Sequence, residues 1–474
     1  MNLPPWSELW PLVLPELVLL GGACAVLLAD AFSVRRHAPW LGHLALITVL
    51  AAAAAVAVTP PGATAFGGQF LLDGAARLAK PALLLFTAAV FLYARRAAAR
   101  APGLGGAYWA LCLLATLGLC VLCSAGHVLV LYLALEVYGV SAYALVALRR
   151  GSVAAAEAAM KFFVLGALAS ALLLYGLSLW YGASGGLYLT AFAAGAATPD
   201  GLGLQHLGLA LIVAGVAFKL GLAPFHWWLP DAYQGAPAPV TAFLAGAPKV
   251  AALLLALRLL VEGGGGFAAD ALRLLVALAV IALAVGNLLA LWQDDLKRML
   301  GYSAVAQLGY AALALAAGAP AAALFYVLVY ALATLGALAV LLAVSRHGRE
   351  AAALDAWAGL AASRPGAAAA MSLCLLSLAG LPPLAGFHGK WWVIQALLER
   401  GWTGLAVYAL VLSAIGAYYP LKVVARMVFD PPAAAAAPAA RDRPASWLAA
   451  ANAAGVLALG VWPGGLLEAC LAAF

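Results

Sequence analysis

Leu129–Val146 reads LVLYLALEVYGVSAYALV, an apolar run with one charge, Glu136, near its middle. Roughly 20 residues at 1.5 Å rise cross a ~30 Å hydrocarbon core, and a run of 18 is already long enough to span a bilayer. A charged side chain at the bilayer centre costs about 2.5–3.5 kcal/mol on insertion scales. Glu136 must therefore be paired, hydrated or used. No basic residue lies three or four positions away, so any partner comes from another segment. An unpaired carboxylate at that depth would take up a proton, which makes Glu136 a protonatable site. The alternative is a neutral, hydrogen-bonded structural acid.

Working outward, similar runs fill the chain. Approximate spans fall at 10–30, 38–58, 72–94, 107–123, 127–148, 156–180 and 206–224. The rest fall at 238–261, 268–290, 299–317, 320–345, 366–397, 402–429 and 446–470. The fold class expected is thus all-α: a polytopic membrane protein of about 14 transmembrane helices. Composition agrees, because 67% of the 474 residues are hydrophobic and only 9% are charged. A soluble domain carries about 25% charged residues, since its surface must face water. Net charge is +7, but the basic residues sit in short clusters between apolar runs, so nucleic acid is not an expected partner. The six cysteines lie in or beside apolar runs, without a paired Cys/His motif, and read as small packing residues. The opening MNLPPWSELW lacks a basic n-region and a clear cleavage site, so a removable signal peptide is not expected.

The loops give an independent check. Alternate loops hold Arg35 and Arg36; Arg95, Arg96 and Arg100; Arg149 and Arg150; Lys297 and Arg298; Arg346, Arg349 and Arg364; and Arg441 and Arg443. Cytoplasmic loops attract Lys and Arg, which places these loops inside and both termini outside. Arg400 is the clearest exception. The one inside loop without Lys or Arg joins spans 7 and 8, and it holds His226, Trp227, Trp228 and Asp231. Its difference from the others points to function.

An internal repeat is also legible. Gly221-Leu222-Ala223-Pro224-Phe225-His226-Trp227-Trp228 closes span 7, and Gly380-Leu381-Pro382-Pro383 with Phe387-His388-Gly389-Lys390-Trp391-Trp392 follows five spans later. One span after each comes a second echo, Pro248-Lys249 and Pro420-Leu421-Lys422. An odd offset turns the second copy upside down in the bilayer. Inverted repeats with interrupted helices mark transporters, with ion sites at the breaks. Chance similarity among Gly/Leu/Pro-rich segments is the alternative.

Three lysines join Glu136 inside apolar segments. Lys219 lies five residues before Pro224, which lacks an N–H and clashes with the carbonyl four residues back, so the helix is expected to open near Leu220. Carbonyls freed at membrane depth must line a hydrated or protein-buried cavity, and lysine changes its proton affinity readily in such places. Lys249 follows Pro248 in the middle of span 8, where a kink and a charge coincide again. Lys390 follows the Pro382–Gly389 break. For these residues the alternative is snorkelling to an interface, which suits Lys249 least. His226 and His388 flank the breaks as candidate relays between water and the lysines, or as capping residues. Lys161, beside Glu157 at the start of span 6, reads equally as an interfacial anchor or as an inward-reaching group. The chain shows no phosphate-binding Gly loop, no haem-attachment motif and no cysteine cluster for iron–sulfur. Energy input must then come from an ion gradient or another subunit.

Taken together, LALEVYGVSAYALVALRR…AAEAAMKFFVLGALASALLLYG, FKLGLAPFHWWLPDAYQGAPAPVTAFLAGAPKV, QDDLKRMLGYSAVAQLGY and LAGLPPLAGFHGKWW carry a resemblance. The chain resembles the antiporter-like membrane subunits of respiratory complex I (proton-translocating NADH:quinone oxidoreductase), most closely bacterial subunit N. The short end after span 14, Lys390 in span 12 and the opening LPELVLLGGACAVLLADAF support that placement among the sister subunits. The resemblance implies two inverted five-helix bundles at spans 4–8 and 9–13, with spans 7 and 12 interrupted. The corresponding domains are residues 1–100, 101–265, 266–430 and 431–474. It also implies that Glu136 pairs with Lys219, that Lys249 continues a hydrated midplane axis to Lys390, that Lys161 matches the span 6 lysine and that His226 links the axis to the cytoplasm.

The function expected is proton translocation as a membrane-arm subunit of complex I in a bacterial inner membrane. FMN, iron–sulfur clusters and quinone are expected in partner subunits, with no cofactor or metal in this chain. The partners expected are other membrane-arm subunits, including sister antiporter-like ones, the lipid bilayer and protons. A subunit of a multisubunit sodium/proton antiporter and a non-pumping membrane scaffold are the alternatives.

Overall fold

A computed structural model describes residues 10–33, 39–60, 62–100, 104–194, 199–345, 350–431 and 443–474. Arg35, Arg36, Arg346, Arg349 and Arg441, used above to orient the loops, lie outside these residues. The first helices are α1 (Leu14–Ala31), α2 (Pro39–Val58), α3 (Gly74–Arg100), α4 (Gly106–Cys123) and α5 (Val128–Val146). They are followed by α6 (Val153–Ser184), α7 (Leu189–Ala194), α8 (Pro199–Leu220), α9 (Trp228–Gly235), α10 (Ala238–Ala245) and α11 (Ala247–Ala256). The second half holds α12 (Ala268–Leu291), α13 (Leu296–Ala316), α14 (Pro320–Val344), α15 (Leu360–Ser363), α16 (Pro365–Ala379) and α17 (Ala385–Glu399). The chain closes with α18 (Thr403–Gly416), α19 (Tyr418–Phe429), α20 (Arg443–Val461) and α21 (Gly464–Ala472).

Among the described residues, twelve helices are long and apolar enough to cross a membrane. A thirteenth is reached if α20 and α21, bent by 78° at their junction, make one span. The protein is therefore an all-helical, multi-pass membrane protein. The expected run 366–397 is two shorter helices, α16 and α17, parted by residues 380–384. The expected run 206–224 begins earlier, at Pro199, and ends at Leu220, where the proline argument puts its opening. Pro248 likewise parts α10 from α11 at Gly246, because its ring displaces the carbonyl of Leu244.

Burial separates a centre from a shell. The most apolar 18-residue windows of the 238–262 segment and of α13 are wholly buried, and 89% of the α14 window is buried. By contrast, only 28% of α1 and 39% of α6 and α12 are enclosed. The shell helices present apolar stripes outward, as with Leu133, Val137 and Val140 on α5. In water such stripes would be a liability, and in a membrane they meet acyl chains or a neighbouring subunit.

Connections gather at two ends. A small hairpin, β1 (Ala63–Ala65) with β2 (Phe70–Leu72), pairs onward through Phe70 with Ala125. His127 then pairs with Tyr188, so the connections after α2, α4 and α6 are knitted together. At the other end Asp295 pairs with Ala353, and Lys297 Nζ bonds both Glu350 (2.5 Å) and the Ala236 carbonyl (2.7 Å). Two sets of loops at two ends are what an alternating up-and-down path requires.

The N-terminal helices are held by charge as well as by packing. Lys80 Nζ on α3 meets Glu16 Oε1 on α1 at 2.7 Å, with the two side chains 0% and 8% exposed. Arg258, in a π-helical turn spanning Leu257–Glu262, bonds Asp73 (2.6 Å), Glu262 (2.8 Å) and the Cys123 carbonyl (3.1 Å).

Candidate functional site

The two breaks share one local design. After α8, Gly221 takes φ 82°, and the amides of Gly221 and Leu222 both donate to the Ala217 carbonyl, at 2.8 and 2.9 Å. After α16, Gly380 takes φ 86°, and the amides of Gly380 and Leu381 both donate to the Leu376 carbonyl at 3.1 Å. A left-handed residue closes a helix this way, and glycine adopts that conformation without a Cβ penalty. The Ala223–Pro224 and Pro382–Pro383 bonds beyond them are cis.

Each break holds a buried lysine. Lys249, 1% exposed, points its amine toward Gly221, where an added Cβ would lie 4.0 Å away. That amine stands 5.1 Å from the Trp228 ring and 6.0 Å from the Tyr233 ring. Trp228 is itself fixed, because its Nε1 donates to the Phe218 carbonyl (3.0 Å) and its ring stacks on Phe162 at 4.4 Å. One indole thus joins α6, α8 and α11 around the lysine. Lys390 is buried on α17, and its amine donates to the Ala379 carbonyl and to Ser413 Oγ, both at 2.9 Å. Ala379 ends α16, so the ammonium satisfies one of the carbonyls that a helix C-terminus leaves free.

Gly380 is packed against that lysine. A Cβ there would meet Lys390 Cδ at 2.7 Å. Gly380→Ala is expected to cost about 1–2 kcal/mol from the left-handed backbone alone, and to push the amine off Ala379 and Ser413. Thermal unfolding of the detergent-solubilised protein measures the first effect, and an unchanged Tm would refute it.

Glu136 and Lys219 are half-buried, and Glu136 acts electrostatically on Lys219. No hydrogen bond or ion pair joins them, and Glu136 Oε1 is buried without a partner. The pairing that the resemblance implies is thus a separated pair in this structure. His226 is buried in the first break with both ring nitrogens unpartnered, its ring 4.9 Å from Trp227 and 6.2 Å from Tyr302. His388 is occupied instead, with Nε2 bonded to the Gly460 carbonyl at 2.9 Å.

Lys161 does not reach inward. Its side chain is 47% exposed and bonds Glu157 (2.7 Å) and Asp231 (2.9 Å). Asp231 also takes Arg298 at 2.5 Å, which ties α6, α9 and α13 below the first break. Burial opposes the charge of Asp231, but the hydrogen bonds from Lys161 and Arg298 outweigh it and hold the carboxyl below its ordinary range. Lys422, read as an echo of Lys249, lies within α19 and is paired with Asp294 at 3.3 Å, its side chain 23% exposed.

Comparison with known proteins identifies the family of the chain. The family described as NADH:quinone oxidoreductase/Mrp antiporter, TM, matches residues 125–416. A NADH-quinone oxidoreductase subunit N of Acidithiobacillus ferrooxidans is 43% identical over 473 residues, covering 97% of both chains. One from Herminiimonas arsenicoxydans is 42% identical over 481 residues, again covering 97% of both. The chain belongs to the NADH-quinone oxidoreductase subunit N family. A chain of the respiratory complex I of Thermus thermophilus with bound aureothin has the same fold, at TM-score 0.81 and 35% identity. That match covers 96% of this chain and 98% of the other.

Both glycine-and-lysine breaks lie inside the segment that the family description matches. Among the described residues, no group of three or more His, Cys, Asp or Glu side chains could hold a metal ion. Sequence reasoning missed a polar set between the breaks: the buried Tyr233, Gln307, Tyr310, Tyr326 and Tyr330, with the half-buried Ser413. Gln307 in the middle of an otherwise apolar run was the available signal, because a buried amide must find partners.

Proposed function

We propose that this chain is a proton-translocating subunit of the membrane arm of NADH:quinone oxidoreductase, and that it moves protons along its midplane. The observation that carries this reading is the repeated break, in which a left-handed glycine ends a helix against a buried lysine. In outline, Glu136 and Lys219 load the path, Lys249 receives the proton, and Lys390 passes it to the opposite side. His226, with two free ring nitrogens, connects Lys249 to the inner face, while Lys161 fixes Asp231 and so the loop that carries His226.

The breaks at residues 221–227 and 380–384 interrupt spans 7 and 12, which makes fourteen spans in all. Residues 1–100 and 431–474 flank two inverted repeats, 101–265 and 266–430, and the shared closing pattern of α8 and α16 supports that division. The chain sits in the bacterial inner membrane with both termini on the periplasmic side, beside other membrane-arm subunits including its sister antiporter-like ones. FMN, iron–sulfur clusters and quinone belong to partner subunits, whose redox chemistry supplies the energy.

Electrostatics make the coupling feasible. Moving one charge against 100 mV costs about 2.3 kcal/mol. A change of one pKa unit corresponds to about 1.36 kcal/mol, so closing or opening the separated Glu136–Lys219 pair acts on the required scale.

Lys219→Ala in membrane vesicles tests the reading, with assembly checked on a native gel. NADH-driven quinone reduction and proton uptake are expected to fall together. Normal rates of both in an assembled complex would remove Lys219 from the path and favour a scaffold. The family description also covers Mrp antiporters, and a sodium/proton antiporter subunit would leave NADH:quinone activity independent of this chain.

A further inference from the structure

Between the two buried lysines lies a set of neutral polar side chains that is nearly continuous. On the Lys390 side, the amine stands 5.3 Å from the Tyr310 ring, and that ring is 5.8 Å from the ring of Tyr326. The Tyr326 hydroxyl donates to Gln307 Oε1, and Gln307 Nε2 donates to the Leu378 carbonyl at 3.1 Å. On the Lys249 side, the amine approaches Tyr233, and Tyr233 in turn adjoins Tyr330. The two halves face each other across a cavity of about 10 Å³ lined by Gln307, Tyr326, Tyr330 and Ser377.

The hydroxyls of Tyr330 and Thr334, one helical turn apart on α14, are buried and lack a partner in good hydrogen-bond geometry, with Tyr233 and each other as their polar neighbours. A buried polar group left unsatisfied is destabilising, so it favours a partner such as water. About 10–15 Å³ of this kind of space holds one water, provided that two to four polar groups surround it. Here Gln307, Tyr326, Tyr330 and Ser377 surround the space. The other titratable groups that act on Tyr330 are Tyr233, Tyr326 and Tyr419, and none of them is a carboxylate. Among the described residues, the polar side chains that line this gap are hydroxyls and the Gln307 amide, with no carboxylate.

We propose that this cavity holds a single water, that Tyr330 is the proton-transfer residue joining the Lys249 half of the path to the Lys390 half, and that Gln307 positions the water. The inference rests on the midplane reading above. In the step, Tyr330 accepts one proton from the Lys249 side as its own hydroxyl proton passes to the water. The water then releases a proton toward Tyr326 and Lys390, so one enters, one leaves and no redox partner is needed. Gln307, already bonded to Tyr326 and to the end of α16, is a positioning residue.

Tyr330→Phe keeps the packed ring and removes only the hydroxyl. In assembled complex, NADH-driven proton uptake and quinone reduction are expected to fall by about 10²-fold, the low end for a positioned proton donor. Gln307→Glu places an ionisable group on the cavity, and its pH profile of proton uptake is expected to gain a titration step absent from the native profile. A merely structural Gln307 would not produce that step. Lys219→Ala is measured alongside. Native rates in Tyr330→Phe and a native profile in Gln307→Glu, with Lys219→Ala inactive, would overturn the relay and leave the midplane reading standing. Full pumping by Lys219→Ala would overturn both. If Tyr330→Phe fails to assemble, the Gln307→Glu profile decides alone.

Discussion

Lys249→Ala is expected to lower NADH-driven proton uptake by at least about 10²-fold in a complex that still assembles. Both halves of that expectation follow from the surroundings of the amine. Lys249 is enclosed by Trp228, Tyr233 and Gly221, and among the described residues its amine forms no ion pair. A proton arriving from the first break has no second carrier at that point. Lys219, by contrast, is half-buried and has the Glu136 carboxylate acting on it. Assembly survives for a separate reason. Removing one member of a buried ion pair strands the other charge, which is what makes such changes destructive. Lys249 has no ion-pair partner to strand, and it sits in the first turn of α11, where the helix dipole opposes a cation. The measurement is dye-reported proton uptake on a membrane whose complex content has been matched on a native gel. Uptake at the native rate would show that the path bypasses span 8.

Lys80→Ala has the opposite signature. Here the loss strands Glu16, which is buried and already has one carboxylate oxygen without a partner. Breaking a buried pair from one side costs about 3–5 kcal/mol. That is a large share of the 5–15 kcal/mol by which folded proteins are stable. The expected result is a chain that fails to accumulate in the membrane, read by immunoblot. Replacing both residues at once, as Glu16→Leu with Lys80→Leu, is expected to restore accumulation, since apolar side chains of similar volume can replace a buried pair at little cost. A double variant as scarce as the single one would mean that the pair does something other than hold α1 to α3.

These two lysines also mark what sequence reasoning reaches and where it stops. Lys219, Lys249 and Lys390 stood out because each charge sits beside a proline or a proline-rich break, and a local rule connects the two. The end of α8 at Leu220 follows from the geometry of Pro224 alone. Lys80 and Glu16 are 64 positions apart, and each lies near the start of an apolar run, where a charge looks like an ordinary interfacial residue. Arg258 finds Asp73 from a different span in the same way. Nothing in spacing or periodicity announces such pairs, because the bundle brings them together only in three dimensions. Tyr326 and Tyr330 were silent for another reason. A tyrosine in an apolar span is bland until its hydroxyl is seen bonded to a buried amide, as in Tyr326, or without a partner in good geometry, as in Tyr330. Lys161 was open between two readings, and only the position of Asp231 decided for the outward one.

The His388–Gly460 contact has a consequence for how the molecule is made. Gly460 lies directly on the second break, so close that a Cβ there would fall 2.1 Å from the Pro383 carbonyl oxygen. Pro383, Leu384 and His388 therefore acquire part of their support from α20, which is made after every other element of the second break. A nascent chain inserts every earlier charged residue into the bilayer before the seat of Lys390 is finished. On the proposed midplane path, a chain abandoned before α20 carries the lysines without a completed passage between them and the far side.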